Sequence, residues 1–356
     1  MSLCLAMNID MVGLAQIIEQ HWKYQNKLLS VLLWPLARIF QIIAALRRSL
    51  YRYGWIKVYC LPCPVVVIGN IHVGGVGKTP LVAALVRSLQ QKNIQVGIIS
   101  RGYGRQSKDT IVIDDLTSVS AAGDEPLMLY RQLSVPVAVG KTRLAAGQAL
   151  LRQYPELQII ISDDGLQHYA LKRDLEIVII PATDVGKRLD LLPNGPLREP
   201  LSRLQSTDGI LFSQGNPSLM HNPVVQNLIT DKWYGYSSLK YGHFYLFNQP
   251  QQRAMPSDFA GRNCAAIAAI GRPERFFQAL QQLGIELSAT VTLPDHATIT
   301  IDDWPDADVV FITEKDAVKL AEPLNREVWI LPLEAVIIPD LSGWIVQRLH
   351  LSSIVK

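Results

Sequence analysis

Between Gln20 and Lys108 the chain has no aspartate or glutamate, yet it carries 13 lysines and arginines there, leaving 21 basic against 31 acidic residues elsewhere. A segment so short of acid cannot be an ordinary salt-bridged surface. Its cations lie among Leu, Ile and Trp rather than in a polar, glycine-rich arm, which argues against nucleic acid and for an anionic lipid surface. The net charge of +3 adds no sign of a polyanionic partner. Cysteine is also scarce. Cys4, Cys60, Cys63 and Cys264 in 356 residues exclude a disulfide framework and make a reducing compartment the default. Cys60 and Cys63 have CxxC spacing but no second pair to complete a zinc site. The first residues lack the basic start and small-residue cleavage site of a secretory signal. No long apolar run is uninterrupted: within 28–50, Pro35, Arg38 and Gln41 intervene. A spanning helix needs ~20 apolar residues and is penalised by a central arginine, which argues against spanning. At helical spacing Arg38, Gln41 and Arg48 form one stripe, while Leu36, Ile39, Phe40, Ile43 and Leu50 occupy most of the remainder. That pattern predicts a helix in the membrane interface, with cations at headgroup level, or a helix packed on its own domain.

The apolar content, 49% of residues against 18% charged, is ample for packed cores in one large or two ordinary domains. No internal repeat or low-complexity tract is present. From Val65 onwards, short Val- and Ile-rich runs alternate with helical patterns, which predicts a parallel sheet with helices on both faces. Strands are expected at 65–69, 96–100, 135–139, 158–162, 175–180 and 209–213. Helices are expected at 80–90, 125–132 and 143–154. The aromatic alternation over 234–247 reads as a hairpin or linker. A second α/β set follows, with strands near 265–270, 309–313 and 328–332 and a helix at 273–283. The expected organisation is an N-terminal helical region (1–56), a P-loop domain (57–235) and a smaller α/β domain (236–356).

The first strand runs into Gly74-Gly75-Val76-Gly77-Lys78-Thr79 and then into an amphipathic helix. Backbone N–H groups at such a turn, together with the positive end of the helix, favour a nucleotide's phosphates. Lys78 would reach the β/γ-phosphates, and the Thr79 hydroxyl would face Mg²⁺. The usual spacing would put glycine at position 72, where the chain has His72, so the turn is closer to the GGxGK[ST] variant. The apolar run Ile159-Ile160-Ile161-Ser162 ends in Asp163-Asp164, carboxylates suited to the same Mg²⁺, although Asp-Asp-Gly is also good turn chemistry. Arg101 and Arg105 follow the second strand and could clamp a phosphate of either the nucleotide or the acceptor. Gly123-Asp124-Glu125-Pro126 looks like a helix start with Asp124 as cap. Sequence alone does not separate a cap from a base.

Eight motifs, GNIHVGGVGKTP, SRGYGR, AGDEP, SDDGLQH, LLPNGPLREP, IGRPERFF, LPDHATI and TEKDAVK, occur in an order that resembles the tetraacyldisaccharide 4'-kinase family, the lipid A 4'-kinases of Gram-negative bacteria. The resemblance covers about residues 28–333. It implies two Rossmann-like domains, the first a P-loop kinase, and an N-terminal membrane-associated helical region at the cytoplasmic face of the inner membrane. It also implies ATP and Mg²⁺ as cofactors and the 4'-hydroxyl of a tetraacylated glucosamine disaccharide 1-phosphate as acceptor. Motif by motif, it implies Asp124 as general base assisted by His296. Gly74, Gly75, Val76, Gly77, Lys78 and Thr79 would serve the nucleotide, and Thr79, Asp163 and Asp164 the metal. Gln167 and His168 would line the site, with Arg101, Arg143, Arg198 and Glu199 near substrate phosphates. By itself His296 reads as a loop histidine. His72 stands where the family commonly has threonine, and Arg38 interrupts the apolar helix. A membrane-recruited P-loop switch NTPase is the alternative. Against it stand Val73, in the place of that class's lysine, and Thr313-Glu314-Lys315-Asp316, which fails the guanine-reading order. A monomer is expected.

Overall fold

A computed structural model describes residues 17–24, 26–75, 77–320 and 326–352. In chain order the principal elements are α1 (Lys27–Arg52), β1 (Val65–Asn70), α2 (Lys78–Gln91), β2 (Val96–Ser100), β3 (Ile111–Val112), α3 (Asp124–Leu133), β4 (Val137–Val139), α4 (Arg143–Gln153) and β5 (Ile159–Asp163). They continue through β6 (Leu175–Pro181), β7 (Gly209–Ser213), β8 (Trp233–Tyr241), β9 (Phe244–Leu246), β10 (Gln249–Ala254), β11 (Cys264–Ala268) and α5 (Pro273–Gln282). The last are β12 (Leu287–Thr292), β13 (Val309–Thr313), α6 (Glu314–Ala317), β14 (Glu327–Leu331), β15 (Leu333–Ile338) and α7 (Leu341–Arg348). The chain divides into two compact units, each of two segments: Met1–Val76 with Asp164–Tyr236, and Gly77–Asp163 with Ser237–Lys356.

In the first unit, β1 pairs in parallel with β6, β6 with β7, and β7 with the start of β8. Val65–Ile68 and Ile177–Ile180 are buried on both faces. That burial is why these strands read as continuous apolar runs rather than as alternations. Helix α1 begins at Asn26, whose side chain accepts from the amides of Leu28 and Leu29, and it continues through Pro35. Leu28, Val31, Leu32, Trp34, Ile39, Ile42, Ile43 and Leu46 on it are all more than half exposed, and Ala37 is buried. It is held to its own unit by an Arg38–Asp190 ion pair and by packing of Tyr51 against Tyr169. Just before it, Trp22 Nε1 donates to the Pro193 carbonyl at 2.9 Å.

In the second unit β2 is central to one set of strands, pairing in parallel with β5 and β4, while β3 closes the β4 edge antiparallel. A six-stranded sheet runs β10-β9-β14-β13-β11-β12. Its pairs β12–β11, β11–β13 and β13–β14 are parallel, and the β9 and β10 pairings are antiparallel. Phe244, Phe259, Phe311 and Trp329 pack edge to face or tilted beneath it, with centroids 4.9–5.3 Å apart. Helix α2 packs against β15, α3 and α7. The α7 contact is tied by a Ser88–Ser342 hydroxyl hydrogen bond of 2.7 Å, and Lys92 pairs with Asp340 at 3.0 Å. The aromatic stretch 234–247 is not a hairpin: β8 pairs with β7, whereas β9 pairs with β10 and β14. Alternation reports a half-exposed strand, not its neighbour.

Candidate functional site

In the second unit the start of α3 is set by Gly123, whose φ of 88° is in the region that favours glycine. A Cβ there would lie 2.8 Å from the Tyr103 carbonyl oxygen. Gly123 is the N-cap, without a side-chain capping bond, and Asp124 is the first helical residue. The expectation that Asp124 caps the helix is therefore corrected. Its carboxylate lies 7% exposed at the positive end of α3, where an anion is favoured.

His296 meets that carboxylate from 172 residues away, with Nδ1 at 3.0 Å from Asp124 Oδ2. Its backbone φ of 67° is left-handed, which costs a non-glycine residue about 1–2 kcal/mol. Such strain is commonly held at functional positions. The His296 amide donates to the Ala269 carbonyl at 3.2 Å. On the far side of the ring, Nε2 is 3.4 Å from Lys315 Nζ, which also donates to Asp295 at 2.7 Å. An ammonium can only donate, so this contact suits an Nε2 acceptor with the proton on Nδ1, directed at Asp124. Burial pushes the Asp295 carboxyl up, but the Lys315 hydrogen bond and charge outweigh it and hold the group below its ordinary value. The Tyr103 ring, 79% exposed, lies 5.7 Å from the His296 ring.

Two residues that the motif readings left without a role complete this cluster. Lys319, with a side chain 2% exposed, is 3.6 Å from Asp124 Oδ2 and 2.9 Å from Asp316 Oδ1. Asp316 is fully buried and accepts from the Ala269 amide and the Thr313 hydroxyl. The available signal was the Asp-x-x-Lys spacing within TEKDAVK, an i,i+3 pair.

In the same unit Gly77, at φ 77°, is the N-cap of α2 and has no side-chain capping bond, and α2 opens with Lys78 and Thr79. Asp163 ends β5 and is buried. Arg143, the first residue of α4 and 8% exposed, donates to the Asp163 carbonyl at 2.8 Å. Arg101 is exposed on the loop after β2. Val76 lies outside the described residues.

In the first unit, Gly74 (φ 93°) and Gly75 would accept a Cβ without meeting any atom within 4 Å. Asp164 has φ 46°, a second strained position, and its Oδ2 is 3.4 Å from Arg198 Nη1. The Arg198 amide donates to the Ile71 carbonyl at 2.6 Å, and Gln167 Nε2 donates to the Asn70 carbonyl at 3.1 Å. The His168 carbonyl accepts from Arg173 at 2.6 Å. His72, 3% exposed, is 3.2 Å from Asp184, and that partner holds the Asp184 carboxyl below its ordinary value. Glu199 is buried, accepts from the Tyr169 hydroxyl and lies 3.5 Å from Arg203 Nε. Arg203 in turn grips Glu176 with bonds of 2.8 and 2.6 Å. Burial, and then Glu199, push the Tyr169 phenol up to about 12. Glu199 is thus built into a buried ionic network, which its place in LREP did not reveal.

The family model of the tetraacyldisaccharide-1-P 4'-kinases matches residues 29–350. Tetraacyldisaccharide 4'-kinase of Neisseria meningitidis serogroup B is 48% identical over 336 residues, covering 94% of this chain and 96% of the relative. The enzyme of that name from Chromobacterium violaceum is 43% identical over 340 residues, covering 94% and 98%. Among solved structures, LpxK from Aquifex aeolicus in complex with ATP has a TM-score of 0.77 at 28% identity, covering 90% of this chain and 99% of that one. A match across nearly the whole chain, on an α/β fold shared with a solved family member, shows that the chain belongs to the tetraacyldisaccharide-1-P 4'-kinase family.

Proposed function

We propose that this kinase transfers the γ-phosphate of ATP to the 4'-hydroxyl of a tetraacyldisaccharide 1-phosphate in lipid A biosynthesis, with Asp124 as general base and His296 as its partner. One observation carries the reading: a buried carboxylate at a helix start is hydrogen-bonded, at 3.0 Å, to a histidine 172 residues away. A sugar hydroxyl has to lose its proton as the new O–P bond forms, and a positioned carboxylate is the group to accept it. The His296 Nδ1–H orients that carboxylate while Lys315 steadies the ring from its other nitrogen.

The loop from Gly74 to Thr79 would take the phosphates. Gly77 offers no side chain to cap α2, which leaves the first-turn amides for an anion, and Lys78 stands at the same turn. For the metal, the residues fit Mg²⁺. Among the described residues no group of three or more His, Cys, Asp or Glu could hold a cation alone. A hydroxyl and carboxylates suit a small cation that takes much of its coordination from water and phosphate oxygens. Thr79 and Asp163 would supply ligands, with Asp164 the further candidate. Mg²⁺, when bound, would neutralise charge on the transferring phosphoryl group. Arg143 fixes the strand end that carries Asp163 through its bond to that residue's carbonyl. Arg101, Arg198, Gln167 and His168 remain candidates for the acceptor and its phosphate, and Glu199 supports its segment through Tyr169 and Arg203. Helix α1, with its exposed apolar residues and neighbouring Arg47, Arg48 and Arg52, would lie on the anionic cytoplasmic face of the inner membrane, where an insoluble acceptor must be met.

The test is transfer of labelled γ-phosphate from Mg-ATP to tetraacyldisaccharide 1-phosphate in detergent, beside Asp124→Asn and a control without lipid. Lipid-dependent and Asp124-dependent product phosphorylated at the 4' position is expected. ATP hydrolysis indifferent to the lipid, in folded protein, would overturn the reading.

A further inference from the structure

Ala269 is a node between three elements of the second unit. Its carbonyl accepts from the His296 amide and from Lys319 Nζ, each at 3.2 Å, and its amide donates to Asp316 Oδ2 at 3.2 Å. Lys319 thereby reaches the base from a fixed anchor. Its ammonium donates to Asp316 Oδ1 at 2.9 Å and to Ala269, and faces Asp124 Oδ2 at 3.6 Å. A lysine held only to neutralise Asp316 would have no need of the second carboxylate. Here two buried anions share one buried cation, an arrangement that is strongly destabilising to break and geometrically demanding to keep.

Both contacts on Asp124, from His296 Nδ1 and from Lys319 Nζ, fall on Oδ2. Building on the general-base reading above, we propose that Lys319, anchored by Asp316 and the Ala269 carbonyl, is a positioning residue that clamps Oδ2 of Asp124 so that Oδ1 takes the acceptor's proton. In the step it serves, the acceptor O–H bond breaks and its proton passes to Oδ1. The acceptor oxygen bonds the γ-phosphorus, and the bond from that phosphorus to the bridging oxygen breaks to release ADP. Lys319 transfers nothing. It fixes which oxygen is the base and removes the rotational freedom that would let the carboxylate turn away. Misplacement of a catalytic group by even an ångström costs about 10²-fold in rate.

The experiment is a double-mutant cycle on the full chain, with labelled ATP and the lipid acceptor. Lys319→Met, checked for folding by thermal melt, is expected to lower kcat by about 10²-fold while the KM for ATP stays within about twofold. In an Asp124→Asn background, the same substitution is expected to change kcat by less than about twofold, because its effect passes through the carboxylate already removed. A merely structural lysine would instead multiply the two losses. Parent-like turnover in Lys319→Met, or multiplied losses, would overturn the proposal. Should Lys319→Met fail to fold, Asp316→Asn releases the ammonium's anchor at constant shape, and the same cycle decides. Near-parent turnover in Asp124→Asn itself would sink the general-base reading. A slow Asp124→Asn beside a normal Lys319→Met would sink only the positioning role.

Discussion

At Asp124 a helix start, a histidine and a buried ammonium all act on one carboxylate, and replacing it should separate chemistry from binding. Asp124→Asn is expected to lower kcat by ~10²–10⁴-fold while ATP still binds, measured by turnover beside equilibrium nucleotide titration. Retained turnover would remove Asp124 from the proton path. Glu314 is a second carboxyl with a readable consequence. Burial pushes it above its ordinary value, although the Leu333 amide and Gln132 act the other way. Its stabilising contribution is therefore complete below the unfolded carboxylate value and is lost as pH rises through the raised folded value. Glu314→Gln removes that loss, so its Tm should rise relative to the parent as pH climbs from 4 towards 8. A difference independent of pH would contradict this. In the other unit, Arg203→Met would take the cation from buried Glu199 and one of two from Glu176, which keeps Arg173 at 2.7 Å. A loss of roughly 3–5 kcal/mol in denaturant unfolding is expected. The placing of Lys78 and Thr79 at a helix start and of Asp163 at a strand end was legible because a glycine turn and a strand-end acid pair are local patterns. Lys319, Tyr169 and Arg203 were not, because a charge pair formed by packing leaves no mark beyond a spacing that any exposed helix could show. The left-handed backbone at His296 and Asp164 was equally silent, as neither residue type announces a positive φ.

Among the elements, the parallel strands were the most legible. The runs Val65–Asn70 and Ile159–Asp163 are apolar because both faces are covered, and their expected limits fall within a residue of the observed ones. Of the two readings of 234–247, the hairpin failed because a period of two gives the exposed face and not the neighbouring strand, and the stretch instead links two sets of strands. Helix α1 holds together through Pro35, with its unit attached chiefly through Ala37, Arg38 and Tyr51. Its outward apolar side therefore contributes little to folding. Ile39→Asp combined with Ile43→Asp should leave the thermal melt and the turnover on detergent-dispersed acceptor near the parent values. It should also weaken binding to anionic vesicles by at least about tenfold, since each isoleucine buried in an apolar phase is worth ~1.5–3 kcal/mol. Undiminished vesicle binding in a flotation assay would place the attachment elsewhere.

On the scale of the molecule, the two compact units are each assembled from an early and a late stretch of chain. Of the three exchange points, two fall within the glycine turn and between Asp163 and Asp164, and the third lies within β8, between Tyr236 and Ser237. Helix α2, which opens with Lys78, is covered by β15 and α7 from the far end of the sequence. A chain ending at Pro332 would keep every motif that identified the family and still expose the apolar side of α2, so ATP binding should be lost with the melt. During synthesis the ribosome releases that helix long before its cover exists. Until β15 and α7 emerge, the exposed apolar side of that helix is expected to be sticky and open to proteases and chaperones, and a premature stop codon ahead of β15 should be as damaging as one far upstream.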